Sequence, residues 1–177
     1  LMVPVMALAQ ASTTFVGQNW GARQADRAKK GVRYGVLMSL GCLMIMAVAM
    51  LIFTEPLLRL ITKNPGEIDF GKRFIRIITP FYVTICFNQM YAGALRGIGS
   101  ARTPMFIFLG SFVAFRQAYL FLVNLLVSGR VIGNLSDAHF FLMSLAFPMG
   151  WMLASALLII FYRRSKLYRA EIDAVGL

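Results

Sequence analysis

The sequence predicts an all-α integral membrane protein, a helical bundle of five transmembrane segments. Composition, the length of the apolar runs and the position of the positive charge carry that expectation. Of 177 residues, 59% are hydrophobic and 14% charged, and the mean hydropathy is +0.71. Soluble domains hold about 25% charged and roughly 45–50% apolar residues, so this chain is too apolar to cover its own surface in water. The apolar runs are about twenty residues long, the length that crosses a hydrocarbon core roughly 30 Å thick. In lipid each segment must satisfy its own backbone groups, and the runs lack the polar–apolar alternation of a membrane barrel. They read as helices.

The first segment, residues 1–20, runs into FVGQNWGA, after which Arg23, Arg27, Lys29, Lys30 and Arg33 crowd a short connection. The second is residues 34–53 and the third residues 68–95. Ahead of the third, Asn64-Pro65-Gly66-Glu67 reads as a cap, a proline at the first helical position and an acid in the first turn. Gly97-Ile98-Gly99-Ser100 makes a tight exit, and no strand precedes it to suggest a nucleotide loop. Thr103-Pro104 repeats the capping pattern for the fourth segment, residues 104–128, and the fifth is residues 140–162.

The net charge of +11 raises the question of nucleic acid. No basic face with interleaved surface aromatics appears, so nucleic acid is not an expected partner. The charge is instead a topology signal. Eleven of the eighteen Lys/Arg residues fall on one side: the first connection, Arg96, Arg102, Arg163, Arg164, Lys166 and Arg169. On the other side Arg59, Lys63, Lys72, Arg73, Arg76 and Arg130 are diluted by Glu55, Glu67, Asp69 and Asp137. The richer side is expected to be cytoplasmic, with the carboxyl terminus there. The chain opens on Leu1 inside an apolar run, without a basic leader or a small-residue cleavage site. It is therefore expected to be a fragment lacking an upstream helix.

Cys42 and Cys86 lie in apolar runs without metal or disulfide spacing and read as packing residues. His139 is the only histidine, so no histidine-rich metal cluster is expected, and neither is a cofactor. No Asp or Glu lies near mid-membrane in any segment, which argues against an intramembrane hydrolase and against an enzyme generally.

Polar residues within the segments are the candidates for function. Arg116 lies about 18 Å into the fourth helix at 1.5 Å per residue. An arginine at the bilayer centre costs about 2.5–3.5 kcal/mol or more, so it should face a bundle interior or a wet cavity. There it either serves a ligand or binds the carbonyls of a broken neighbour, with Tyr119 on the same face. In the third helix Phe81, Thr84, Asn88 and Tyr91 recur at spacings of three and four and share a face. That face suits an amphipathic or cationic ligand, or serves as interhelical glue. Gly93 and Gly97 favour close helix packing. Pro80 and Pro148 interrupt two helices and are candidate hinges, although membrane helices also tolerate proline without function. Ser144, Trp151 and Ser155 continue the face of Pro148.

FVGQNWGA followed by RAKKGV, within residues 15–33, resembles the exit of the eighth helix in multidrug and toxic compound extrusion (MATE) transporters. ALRGIGSARTP, FRQAYLFLVNLL and FPMGWMLASALLIIFYRR match the same family in order and spacing, so the resemblance covers essentially the whole chain, residues 1–177. Its motif positions are Gly17, Gln18, Asn19, Gly21, Arg96 and Gly97. The resemblance implies the carboxyl-terminal lobe of a twelve-helix, two-lobe, multi-pass transporter of the plasma membrane, the bacterial inner membrane. It further implies alternating access and export of drugs or organic cations against sodium ions or protons. Some members place a cation-binding carboxylate in the tenth helix; residues 80–91 here have none. The coupling site is therefore expected in an amino-terminal lobe, which becomes a partner alongside membrane lipid and the exported molecule. Arg116 sits awkwardly beside a cationic substrate. That keeps open a flippase of lipid-linked anionic precursors from the same superfamily. A non-transporting membrane scaffold is the third reading.

Overall fold

The computed structural model describes residues 2–128 and 137–169, with side chains described for 2–125 and 141–169. Arg130 of the charge count and the side chain of His139 lie outside that description. Among the described residues there is no strand. The helices are α1 (Met2–Gly21), α2 (Ala25–Ile61), α3 (Pro65–Ile78), α4 (Tyr82–Gly97), α5 (Arg102–Phe108), α6 (Arg116–Ser128), α7 (Asp137–Ser144), α8 (Ala146–Arg164) and α9 (Lys166–Arg169). Among the described residues three helical stretches are long and apolar enough to cross a membrane: Ala25–Ile61, Arg102–Leu125 and Phe141–Arg164.

The bundle is knit around α1 and α4. Val5, Ala9, Ser12, Val16 and Asn19 are the buried residues of α1, spaced four and three apart, so a single narrow stripe faces inward. Gly93 and Gly97 meet that stripe. A Cβ on Gly93 would lie 2.7 Å from the Ala9 carbonyl oxygen, and one on Gly97 would lie 2.7 Å from that of Thr13. Backbone cannot move aside for a side chain, so small residues are required at this seam. Gly17 faces Gly97 in turn, its notional Cβ 3.3 Å from the Gly97 carbonyl.

The basic stretch after α1 is helix, not loop. Only residues 22–24 separate α1 from α2, so Arg27, Lys29, Lys30 and Arg33 belong to the first turns of α2. The turn closes by bonds from the Arg23 amide to the Trp20 carbonyl and from the Gln24 amide to that of Asn19, with Arg23 at φ 58°. The exit of α4 repeats the pattern with Gly99 and Ser100 bonding to Arg96 and Leu95, where Gly99 sits at φ 85°. Both are Schellman closures.

The expected third segment is two helices. α3 carries Glu67, Asp69, Lys72, Arg73 and Arg76 and ends in a 3₁₀ turn, Thr79–Phe81. Pro80 has no amide hydrogen to give the Arg76 carbonyl, so the α-helical ladder cannot run through it. Asn64 does cap α3, accepting from the Gly66 amide at 3.0 Å. At this end of the bundle Glu55 of α2 holds Arg59 at 2.6 Å and also pairs with Lys72. The fourth segment starts earlier than expected, at Arg102, and Thr103 does not cap it. Instead its hydroxyl lies 2.9 Å from that of Ser100, and Pro104 falls in the first turn, where a missing amide hydrogen costs nothing. Between α5 and α6 the chain makes a π-helical turn, Leu109–Phe115. Pro148 lies in the first turn of α8, and the break falls just ahead of it at Leu145, because Pro148 cannot bond back to the Ser144 carbonyl.

Candidate functional site

The three interruptions converge. The turn Thr79–Phe81, the π turn Leu109–Phe115 and the break at Leu145 surround a cavity of about 400 Å³. Ile78 and Tyr82 flank the first break. Phe112 lies in the second and Arg116 directly after it, while Ala146 and Phe147 follow the third. Met2, Phe74, Gly150 and Trp151 complete the lining. Helix irregularity of this kind frees backbone groups and shifts side chains from their regular phase, which is why it gathers at sites.

The walls are aromatic. Phe147 is central: Phe74 meets it edge-on at 6.3 Å between centroids, and Trp151 lies 6.3 Å away. Trp151 in turn stacks on Tyr82 at 5.4 Å. The Arg116 guanidinium carbon sits 3.8 Å from the Phe147 centroid. Such a contact returns about 0.5–2 kcal/mol, a part of what sinking the charge costs. Nothing bonds Arg116 Nε, which is buried. The cavity thus offers planar apolar faces around one guanidinium with an unused donor, a match for a flat ring system bearing a hydrogen-bond acceptor.

The site is held in register from behind. Asn88 donates from Nδ2 to the Trp151 carbonyl at 3.2 Å, while Ser155 Oγ lies 2.9 Å from both Asn88 Oδ1 and the Thr84 carbonyl. One hydroxyl proton serves two acceptors, so the three residues form a shared clasp between α4 and α8. Gly150 lets α8 close on the π turn, its notional Cβ 3.1 Å from the Ser111 carbonyl.

Of the residues singled out in the sequence, Arg116 and Trp151 line the cavity together. Thr84 and Asn88 lie in the α4–α8 seam, fixing the wall without facing the space. Phe81 belongs to the 3₁₀ turn, and its carbonyl accepts from the Thr84 hydroxyl at 2.7 Å. The Tyr119 hydroxyl donates to the Leu142 carbonyl at 2.9 Å, and Tyr91 packs against Tyr162 at 4.9 Å, away from this cavity. Pro80 and Pro148 stand beside two of the breaks. Phe74, Tyr82, Phe112 and Phe147 are lining residues that sequence reasoning passed over. Their spacing held a signal: Phe74, Ile78 and Tyr82 recur every four residues, as do Phe112 with Arg116 and Phe147 with Trp151.

Among the motif positions, Gly17 and Gly97 form a close contact, and Asn19 Nδ2 bonds the Phe15 carbonyl at 2.7 Å. The Gln18 carbonyl accepts from Ala22, and Gly21 has open space around it. Arg96 lines a separate groove with Thr13 and Gln89. Gly17, Asn19 and Gly97 thus belong to the packed turn at the basic end of the bundle, and Gly21 and Arg96 lie beside it.

A family model described as MatE matches residues 1–122. The chain belongs to the MatE family. Over 144 residues it is 31% identical to the "Probable multidrug resistance protein NorM" of Thermotoga maritima, an alignment covering 78% of the chain and 31% of that relative. The chain thus spans about a third of the length of the curated relative it matches. No solved structure matches it. Family membership and three membrane-grade helical stretches among the described residues make this a multi-pass membrane protein of the MatE family.

Proposed function

We propose that this chain is the carboxyl-terminal lobe of a two-lobe, twelve-helix exporter that moves drugs or organic cations outward against sodium ions or protons. Five membrane crossings fit it: α1, α2, α4 with the turn before it, α5 to α6, and α7 to α8. The richer basic end faces the cytoplasm of a plasma membrane and the carboxyl terminus lies there with it. The lobe works as a transporter and not as an enzyme. It supplies cavity wall and gating, and the coupling carboxylate resides in the amino-terminal lobe. One observation carries the reading: in a MatE-family bundle, a 3₁₀ turn, a π turn and a helix break meet at one aromatic cavity.

Ethidium efflux by the full-length protein, from cells or proteoliposomes and with and without a sodium or proton gradient, tests it. The expected result is gradient-driven loss of dye that Arg116→Ala impairs while membrane insertion persists. Dye retention that ignores both gradients sinks the exporter reading. The unpartnered Arg116 Nε favours a second reading, a flippase of lipid-linked anionic precursors. Gradient-independent scrambling of a labelled polyprenyl phosphate in proteoliposomes would select it.

A further inference from the structure

At the basic end of the bundle a groove of about 850 Å³ opens between the first turns of α2, the last turns of α8 and α9. Lys29, Lys30, Arg33 and Arg163 line it against one carboxylate, Asp26. Its floor is Tyr91 and Tyr162. Leu167 of α9, fully buried, folds the chain back so that Tyr168 closes one side with Lys29 5.8 Å from its ring centroid. Leu37 forms the rim, and from it an exposed apolar stripe runs down α2 through Met44, Val48 and Leu51. Those positions recur at helical spacing and share one face.

We propose that this groove seats the phosphate headgroup of an anionic phospholipid, with one acyl chain lying along the exposed stripe of α2. Four cations around a cleft supply the charge-assisted donors a phosphodiester needs. Tyrosines suit the boundary where a ligand turns from polar to apolar. A free phosphate would use the cations and leave the stripe idle, whereas a lipid uses both, and Leu37 belongs to both. The site is separate from the aromatic cavity. It rests on α2 crossing the membrane and not on what the protein carries.

Purified protein in neutral detergent, mixed with phosphatidylglycerol or phosphatidylcholine of equal chain length, is read by native mass spectrometry. Phosphatidylglycerol should be retained roughly tenfold or more over phosphatidylcholine, since clustered cations at the membrane surface attract anionic headgroups. K30Q/R33Q/R163Q should abolish the preference and K30R/R33K/R163K should keep it. R27Q/R102Q/R164Q removes the same charge from the same end outside the groove and should leave the preference intact. All these side chains are exposed, so the core is undisturbed. Equal retention of the two lipids overturns the proposal, as does equal loss in the outside triple variant. Displacement of the lipid by millimolar inorganic phosphate would mark a free-phosphate site and overturns it as well.

Discussion

The aromatic cavity and the basic groove are built from similar residues and by opposite means. Each combines cations with aromatic rings. The cavity forms where three helices are interrupted, and it holds a lone Arg116 pressed on Phe147. The groove forms where helix ends meet, at the start of α2 and the turn from α8 into α9, and gathers four cations at the surface. A single charge drawn into an apolar interior keeps an unmet demand for a partner, and here that demand is a bare Nε. Charges at a helix end are met by solvent, so they can be numerous and act as an attracting field. The difference lies in how much solvation each cation has lost.

The contrast can be broken at the seam that ties both sites to one body. Gly97→Val would drive a side chain against the Thr13 carbonyl and Val16, 2.7 and 2.9 Å from the notional Cβ. With backbone on one side, the cost should reach about 3 kcal/mol or more. Thermal unfolding in detergent should show a large drop in Tm, and an unchanged Tm would mean α1 and α4 do not meet there. Arg116→Met comes next and separates the two sites by function. It keeps volume and removes the charge, so the cavity wall loses the guanidinium that rests on Phe147 and ethidium efflux should fall by on the order of tenfold, about 1.4 kcal/mol. Phosphatidylglycerol retention should not change, and parallel loss of both would show that the sites are coupled.

Gly150→Ala tests the π turn on a smaller scale. Its methyl would press the Ser111 carbonyl from 3.1 Å, costing about 1 kcal/mol and turning Arg116 out of phase. Partial loss of efflux with a small fall in Tm is expected, and an efflux rate equal to wild type would free Arg116 from dependence on that turn. The smallest effect belongs to the basic end. Arg23 occupies a left-handed position that Gly99 fills at the matching exit of α4. Arg23→Gly should raise stability by roughly 0.5–1 kcal/mol, seen as a slightly higher Tm with lipid retention intact. A lower Tm would assign Arg23 a contact that outweighs its backbone strain.

Hydropathy made the helices legible because lipid imposes it along the whole of a spanning run. Breaks were less so. Pro80 marks an interruption of the third run, but the apolar stretch from Phe74 to Ile78 hides that the part ahead of it, α3, is a separate helix with a charged face. Residues Arg27 to Arg33 looked like a loop because positive charge signals an exit from the membrane, which a helix can make without unwinding. Periodicity found that Thr84 and Asn88 share a face and could not say which neighbour that face meets. They meet α8, leaving Tyr82 to reach the cavity. Arg116 was legible because a charge in an apolar run admits few explanations. Phe147 was not, since one phenylalanine among fifteen carries no mark until a guanidinium rests on it.

α2 has one more consequence. Its 37 residues extend about 55 Å at 1.5 Å per residue, nearly twice the hydrocarbon thickness, yet its uncharged stretch between Arg33 and Glu55 is close to that thickness. The helix is therefore a ruler with its zero marked. A helix of this length standing near the bilayer normal would hold Lys29 and Lys30 within about 8 Å of its first membrane-embedded turn, level with the phosphate layer. At the opposite surface it would carry the pairing of Glu55 with Arg59 and Lys72 to the same relative height. Bilayer thickness and the spacing of two charged collars are thus the same measurement.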